Sequence, residues 1–250
     1  MTAYYPLEIE FEFNGLKQSI WPVILQDESD VILIDCGYPD FLPLLENAAL
    51  RHSIQLETVT KIILTHDDMD HTGSAAALKR KYPHLEIYAF ESEAPYIEGT
   101  KKSLRLAQAE ATLNRLAGEE KSSAEQFIRF LESIEHVPVD RTLNDNDILP
   151  WCGGVQVIHT PGHTPGHISL YLPSEQTLIA ADAVVIEDGR LEIANPGYCL
   201  DLKEAVRSVQ KLLDYEISRL ICYHGGIFQG DAKKALQQLV RDYETMEERP

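Results

Sequence analysis

The chain has 250 residues, 44% of them apolar, which is enough to bury a sizeable core in one large domain or two small ones. Its formal net charge of −18 argues against nucleic acid as a partner, because an acidic surface repels phosphate backbones. The four cysteines are far apart, the N-terminus has no secretory-signal pattern, and no apolar run approaches the ~20 residues that cross a bilayer, so we expect a cytoplasmic protein without a membrane partner.

The first part of the chain is predicted to be rich in strands, with helices between the later ones. Residues 7–13 alternate with period two, and Asn14-Gly15 is a typical hairpin turn. The other predicted strands are 16–25, 31–35, 61–65 and 85–90, and the predicted helices are 39–51 and 73–82.

Residues 92–135 differ in composition, because they are rich in Ala, Leu, Glu, Gln and Lys and poor in β-branched residues. Their apolar residues recur at near-helical spacing, which predicts two helices joined by residues 117–123. This segment is either a packed structural insert or a lid or wall of a substrate pocket, and the sequence leaves both open.

The strand pattern resumes after residue 136. Predicted strands follow at 155–160, 168–172, 177–181, 190–194 and 219–224, with helices at 201–214 and from about 231. Strands followed by helices, twice over, predict a mixed α/β protein in which two sheets pack face to face with helices outside.

Possible metal ligands stand at the ends of four separate predicted strands. His66, Asp68, Asp70 and His71 follow one strand, and 159-HTPGHTPGH-167, Asp182 and His224 follow three others. Histidine and carboxylate side chains at such positions suit Zn²⁺, Fe or Mn²⁺.

Each element also has an ordinary structural alternative. Asp70 is a good helix N-cap, His71 fits an exposed surface, the Pro and Gly of TPGHTPGH favour turns, and His224 fits a loop. A single metal site explains all of these residues by one cause, whereas the alternatives must all hold at once.

Taken together, THxxxDH, TPGHTPGH, the Asp after an apolar strand and the late His-Gly resemble the metallo-β-lactamase superfamily, in particular its glyoxalase II and quorum-quenching lactonase branch. The resemblance covers nearly the whole chain in the expected order. It implies one domain over residues 1–250, an αββα four-layer sandwich with a helical insert at about 92–135 and a dinuclear metal site at one edge of the sheets.

The resemblance also implies a ligand set for two divalent ions, with Zn²⁺ as the preferred metal and Fe or Mn as alternatives. Metal 1 is expected at His66, Asp68 and His163, metal 2 at Asp70, His71 and His224, and Asp182 would bridge them together with a water or hydroxide. Asp35 and His167 match positions that support the ligands rather than bind metal.

Position 68 departs from the pattern, because most of the family has a histidine where this chain has Asp68. Either Asp68 is itself a ligand, which we favour, or metal 1 is weak or absent. As a ligand, Asp68 would join Asp70, Asp182 and a hydroxide in balancing two divalent ions. We then expect a weaker Lewis acid and a preference shifted toward Fe or Mn, as in the flavodiiron proteins, which carry a glutamate there. The neighbouring Asp67 is expected to face solvent or support the loop.

The family chemistry implied is hydrolysis of a small-molecule ester, thioester, lactone or phosphodiester by a metal-bound hydroxide, with Asp70 as the catalytic residue that steers the hydroxide or moves its proton. The lactonases place a tyrosine where this chain has Val185. Tyr198 and Tyr223 are read as core residues or, less readily, as substrate contacts. The alternatives are an iron-dependent redox enzyme and a non-catalytic metal-binding protein.

Overall fold

The structure is a computed structural model that describes residues 3–13, 15–194 and 196–247. Its strands are, in chain order, β1 Ala3–Pro6, β2 Ile9–Phe13, β3 Leu16–Ile20, β4 Val23–Gln26, β5 Val31–Ile34, β6 Lys61–Leu64, β7 Glu86–Phe90, β8 Arg141–Leu143, β9 Ile148–Leu149, β10 Val155–His159, β11 Ile168–Leu172, β12 Thr177–Ala181, β13 Val185–Glu187, β14 Arg190–Glu192, β15 Arg219–Cys222 and β16 Gly226–Ile227. Its helices are α1 Leu42–Leu50, α2 Met69–Thr72, α3 Ala75–Lys81, α4 Ala94–Ile97, α5 Leu104–Leu113, α6 Gly118–Glu132, α7 Leu202–Leu212 and α8 Ala232–Glu247.

Two six-stranded sheets form the centre of the fold. The first has the order β1-β4-β5-β6-β7-β8 and is parallel from β5 onward. The second has the order β16-β15-β12-β11-β10-β9, in which only β12 and β15 run parallel. The carboxyl ends of the strands in these parallel pairs lie at one edge of each sheet, where side chains that follow them can meet.

Three apolar clusters show that the sheets pack face to face between two helical layers. One cluster joins the inner faces, where Ile34 and Ile63 of the first sheet meet Val157 and Leu170 of the second. The outer face of the first sheet packs against α1 and α3, and that of the second against α7 and α8. This arrangement is the αββα sandwich that the sequence predicted. Strands β5, β11 and β12 are buried throughout, which explains their continuous apolar runs.

Several predicted boundaries were wrong. The strand predicted over 16–25 is divided at Trp21-Pro22 into β3 and β4, which belong to different sheets. The linker predicted at 117–123 is mostly helix, because α6 begins at Gly118 and carries Glu119 and Glu120 in its first turn, where acidic side chains favour a helix start. Of the predicted turn at Asn14-Gly15, Asn14 lies outside the described residues.

The helical insert is attached loosely to the sandwich. Its main helices, α5 and α6, bury only one residue each, Arg105 and Leu131. The other apolar side chains of the two helices are half-buried or exposed. No helix in the described part of the chain is both long and apolar enough to cross a membrane.

The TPGHTPGH loop lies against the start of α7 and depends on Gly162 for that contact. Gly162 has a φ of +132°, and a Cβ placed on it would lie 2.2 Å from the backbone nitrogen of Ala205. The loop is bonded there on both sides, since Asp201 N donates to Gly162 O at 2.9 Å and Leu200 N to His163 O at 3.2 Å.

We therefore expect Gly162→Ala to lower the free energy of unfolding by about 2–3 kcal/mol, because α7 or the loop must move to admit the methyl group. The measurement is urea unfolding. The matched control is Gly189→Ala, which has a φ of +76° but no atom within 4 Å of the added Cβ. It should cost only the backbone strain, about 1 kcal/mol. Equal losses in the two variants would show that the close approach at Gly162 does not matter.

Candidate metal centre

The predicted ligands meet at the edge where the parallel strands end. His66, Asp68, Asp70 and His71 follow β6, while Asp182 directly follows β12 and His224 stands two residues after the end of β15. The two sheets are joined at this edge by a hydrogen bond from Ile168 N to Thr65 O, 3.1 Å long. All seven candidate ligands, with His163 from the TPGHTPGH loop, are therefore brought to one place from distant parts of the chain.

The first group of donor atoms comes from His66, Asp68 and His163, whose ligand atoms lie within 4.8 Å of one another. Oδ2 of Asp68 is 2.9 Å from Nε2 of His163 and 3.6 Å from Nε2 of His66. All three residues are buried. A carboxylate at position 68 thus reaches the same space as the two imidazoles.

The second group comes from Asp70, His71 and His224, again with donor atoms within 4.8 Å of one another. Oδ2 of Asp70 is 3.2 Å from Nε2 of His224 and 3.7 Å from Nε2 of His71. The side chain of His224 is 33% exposed, more than those of its neighbours, so this group faces the opening of the site.

Asp182 lies between the two groups. Its carboxylate oxygens are 3.5 Å from Nε2 of His71, 3.6 Å from Nε2 of His224 and 3.7 Å from Nε2 of His163. It also belongs to a third set of atoms that could hold an ion, with His66 and His71. Asp182 is therefore within 4 Å of histidine nitrogens from both groups.

The carboxylates and histidines of the site shift one another's pKa values. Burial alone would raise the pKa of Asp182, but the charges of His224 and His71 hold it well below its ordinary value. Burial likewise opposes protonation of His224, yet Asp182 and Asp70 raise its pKa to about 10. His71 responds in the same way, since Asp70, Asp182 and Asp35 outweigh its burial and raise its pKa well above the usual range.

Three atoms that could bind a metal ion have no hydrogen-bond partner, so the residues fit a metal ion. Within the described residues, Nε2 of His66, Nε2 of His71 and Oδ1 of Asp182 are buried and have no hydrogen-bond partner. Buried polar atoms are normally paired, because an unpaired one costs free energy. Imidazole nitrogens and carboxylate oxygens that converge without partners form a donor set suited to Zn²⁺, Fe or Mn²⁺.

Asp35 fixes the loop of residues 65–68 after β6, here called the motif loop, and the orientation of His71. Its Oδ1 accepts a hydrogen bond from Thr65 N at 2.8 Å, and its Oδ2 lies 2.8 Å from both Thr65 Oγ1 and Nδ1 of His71. With Nδ1 bonded to a carboxylate, Nε2 of His71 is left to face the site. Asp35 has a φ of +58° and Ala181, directly before Asp182, has +48°, so both strands reach the site through strained backbone.

His167 supports the bridging residue instead of joining the ligands. Asp182 N donates to its Nε2 at 3.0 Å, and its Nδ1 lies 3.1 Å from Thr160 O and 2.9 Å from Thr160 Oγ1. Burial and the charges of His66 and His163 hold the pKa of His167 well below its ordinary value. Both ring nitrogens of this neutral imidazole are therefore occupied.

The two tyrosines differ. Tyr223 is buried, its ring centroid lies 3.9 Å from that of His71, and its hydroxyl donates to Asp70 O, so it supports the ligands from below. Tyr198 is 48% exposed. The core position expected for both is found only for Tyr223.

One residue in the site had no sequence signal. Arg105, from α5 of the insert, donates from Nε to Oδ1 of Asp68 at 3.1 Å and from Nη2 to Oδ2 at 2.6 Å. Burial would raise the pKa of Asp68, but chiefly Arg105 holds it well below its ordinary value. Charge balance around Asp68 could have suggested a cationic partner, but nothing in the spacing identifies Arg105.

Asp67 was expected to face solvent or support the loop, and the structure excludes solvent. It is buried beside Glu93, and burial and the charge of Asp68 raise its pKa to about 6. Glu93 is fully buried and accepts hydrogen bonds at Oε1 from Thr164 Oγ1 and from Gly166 N. Burial and the charge of Asp67 raise the pKa of Glu93 to about 8. Glu93 therefore bonds to the TPGHTPGH loop, while both buried carboxylate oxygens of Asp67 have no hydrogen-bond partner.

Comparisons with known proteins agree with this geometry. The family model described as the metallo-beta-lactamase superfamily matches residues 18–224. The chain is similar to a probable metallo-hydrolase, YflN of Bacillus subtilis strain 168, with 28% identity over 205 residues that cover 78% of this chain and 75% of that protein. Among solved structures, it is similar to a metallo-beta-lactamase family protein of Thermus thermophilus, TTHA1429, with a TM-score of 0.74 and 22% identity, covering 97% of this chain and 79% of that one.

Two further relatives carry names of specific activities. A hydroxyacylglutathione hydrolase of Rhizobium meliloti strain 1021 is 28% identical over 177 residues, which are 70% of this chain and 52% of that protein, so the match spans about half of its length. An N-acyl homoserine lactonase from Bacillus sp is 24% identical over 203 residues, covering 79% of this chain and 76% of that protein. With the His and Asp groups, these matches indicate a divalent metal cofactor.

Because Asp35 orients His71, we expect Asp35→Asn to weaken metal binding by about 10–100-fold. The measurement is competition with a chromophoric chelator for Zn²⁺, starting from metal-free protein. Asp30→Asn is the matched control, since Asp30 pairs with Lys61 at the opposite end of β5 and should leave the affinity unchanged. An unchanged affinity in Asp35→Asn would show that His71 does not need this partner.

Glu93→Gln should stabilise the metal-free protein increasingly as the pH rises. The folded pKa of about 8 exceeds the ordinary value of 4.5, so the folded state holds a proton that the unfolded state has lost. Wild type therefore loses stability as the pH rises from about 4.5 to 8, by up to about tenfold in the unfolding equilibrium constant per pH unit. Glutamine keeps the acceptor oxygen and does not titrate.

This difference is measured by urea unfolding at several pH values. Glu91→Gln, on the exposed neighbour of Glu93, should follow the wild-type curve. Parallel pH curves for Glu93→Gln and wild type would mean that the buried glutamate does not take up a proton on folding.

Proposed function

This chain belongs to the metallo-β-lactamase superfamily, and we propose that it is a hydrolase that cleaves an ester, thioester or lactone bond of a small molecule at a site for two divalent ions. The observation that carries this proposal is the convergence of buried imidazole and carboxylate atoms without hydrogen-bond partners, at His66, His71 and Asp182. Both ring nitrogens of the supporting His167 are occupied, whereas these three residues keep atoms that are free to bind a metal ion.

The proposed ligand set follows the three groups of atoms. His66, Asp68 and His163 would hold one ion, and Asp70, His71 and His224 the other, with Asp182 shared between them. Ions bound there would supply positive charge to polarise a substrate oxygen and would lower the pKa of water.

The chain's own residues orient the reacting groups and move the proton. Asp70 is the proposed catalytic residue, because its buried Oδ2 lies 3.2 Å from His224 Nε2 at the open side of the site. Its backbone is held by the Tyr223 hydroxyl. A carboxylate so fixed can take a proton from water on the substrate side and return it to the leaving group. The buried walls of the site keep other water away from these groups.

Acyl compounds are favoured over phosphodiesters. The relatives named as a hydroxyacylglutathione hydrolase and a lactonase both act, by their names, on acyl compounds. The net charge of −18 disfavours a polyanionic substrate. Arg105 offsets the extra negative charge of Asp68, so it removes the expected loss of Lewis acidity and favours a zinc hydrolase. Zinc is therefore the proposed metal.

Removal of the metal by dialysis against a chelator should abolish hydrolysis in a panel of esters, thioesters, lactones and phosphodiesters, and Zn²⁺ should restore it. Asp70→Asn should lower kcat/KM for the best substrate by at least about 100-fold, because it removes both a ligand and the proton carrier. Asp214→Asn, an exposed control, should behave as wild type.

Activity that survives metal removal, or no activity on any acyl compound by the zinc form, would contradict the proposal. Turnover confined to phosphodiesters would keep the hydrolase but overturn the substrate class.

A further inference from the structure

The insert helix α5 buries a single side chain, and that side chain reaches the proposed metal site. Arg105 is 5% exposed and forms a two-point ion pair with Asp68. Asp68, which stands where most of the family has a histidine, therefore has a cation beside it even without a metal ion.

Arg105 is held in place from its other side as well. Its Nη1 donates to Tyr198 O at 2.8 Å and to Gln108 Oε1 at 2.6 Å, and its guanidinium lies 4.9 Å from the centroid of the Tyr198 ring. A planar guanidinium with three partners and a ring against it has little freedom to turn away. Moving it out of the site would also leave the Asp68 charge buried and unpaired in the metal-free protein.

We infer that Arg105 is a fixed counter-charge to Asp68, which makes the first pocket (His66, Asp68 and His163) a weaker cation site than the second pocket (Asp70, His71 and His224), so that two ions bind in sequence and with unequal affinity. The inference rests on the proposed function, because it concerns the ions that this function requires. It assigns a positioning and charge-setting role to a residue of the insert.

The reason is electrostatic. The single negative charge of Asp68 is balanced by Arg105, so the first pocket offers an ion no net charge beyond what Asp182 contributes. The carboxylate of Asp70 has no permanently charged partner such as a guanidinium, since its near neighbours are Asp182 and the imidazoles of His224 and His71, which bind a metal ion in their neutral form. An ion in the second pocket therefore meets an unbalanced carboxylate, whereas an ion in the first pocket also meets the repulsion of the guanidinium at short range.

The pair also makes Asp68 resemble a neutral ligand. A carboxylate and a guanidinium together carry no net charge, as a neutral imidazole does. The two oxygens of Asp68 keep lone pairs that the guanidinium does not use, because each carboxylate oxygen can accept more than one bond. Asp68 can therefore bind an ion while Arg105 remains in place, and the charge of the whole centre matches that of a site with histidine at position 68.

The test is a titration of metal-free protein with Zn²⁺ in competition with a chromophoric chelator, which gives the number of ions and both dissociation constants. Wild type should bind two ions with clearly different affinities. Arg105→Met should tighten the weaker site at least about tenfold and change the stronger site by less than about threefold. Arg105→Lys, which keeps the charge, should retain the weak site. Arg115→Met, an exposed arginine just after α5, is the matched control and should bind as wild type.

If Arg105→Met does not fold, a double variant tests the same inference. Asp68→His alone leaves the guanidinium buried and unpaired, so it should lower the midpoint of thermal unfolding of the metal-free protein. Asp68→His with Arg105→Met removes both charges, and it should recover that midpoint and bind two ions of similar affinity. A double variant no more stable than Asp68→His alone would overturn the counter-charge role.

Failure of the inference is distinguishable from failure of the proposed function. Wild-type protein that binds no Zn²⁺ would overturn both. Wild type that binds two ions, with a weaker site that Arg105→Met leaves unchanged or weakens further, would overturn the role of Arg105 and leave the hydrolase intact.

Discussion

The structure depends on how it compensates buried carboxylates. Asp35, Asp68, Asp70 and Asp182 are all buried at one edge of the two sheets. An ionised carboxylate in a protein interior is very unfavourable unless a cation or several hydrogen bonds compensate it. The four are compensated in three ways: Asp35 has hydrogen bonds, Asp68 has Arg105, and Asp70 and Asp182 face the imidazoles of His71 and His224. The last two are the residues that most need a metal ion.

Hydrogen bonds within the fold fix Asp35 and His167, the two residues that support the candidate ligands. Asp35 joins the ends of β5 and β6 through Thr65, and His167 joins the TPGHTPGH loop to Asp182. Both supporting residues have their polar atoms occupied, so their geometry does not depend on the ions. The ligands that they hold are left with atoms facing inward. The site is thus shaped by the fold, and an ion does not need to reorganise it.

The sequence predicted the parts of the site that lie next to strand ends, because an apolar run followed by a polar residue marks the point where a strand leaves the core. It could not predict Arg105, which lies 37 residues from Asp68 in a helix whose other residues are largely half-exposed. Local patterns carry no information about such a contact. Of the two alternatives for Asp67, exposure to solvent is wrong, because the residue is buried and no periodicity in the loop indicates that burial. The helix start at Gly118 was misread as a linker because polar residues are common to both.

Arg105 also bears on the two interpretations of the insert. A purely structural insert would bury an apolar face of its helices, yet α5 buries only an arginine and α6 only Leu131. The insert is therefore attached through a charged contact with the site, and the exposed ring of Tyr198 lies against that same arginine. Tyr198 and α5 therefore stand beside Asp68, a candidate ligand. This placement favours the insert as a wall of the substrate pocket. The packing of the insert and the charge of the site depend on each other, because Arg105 contributes to both.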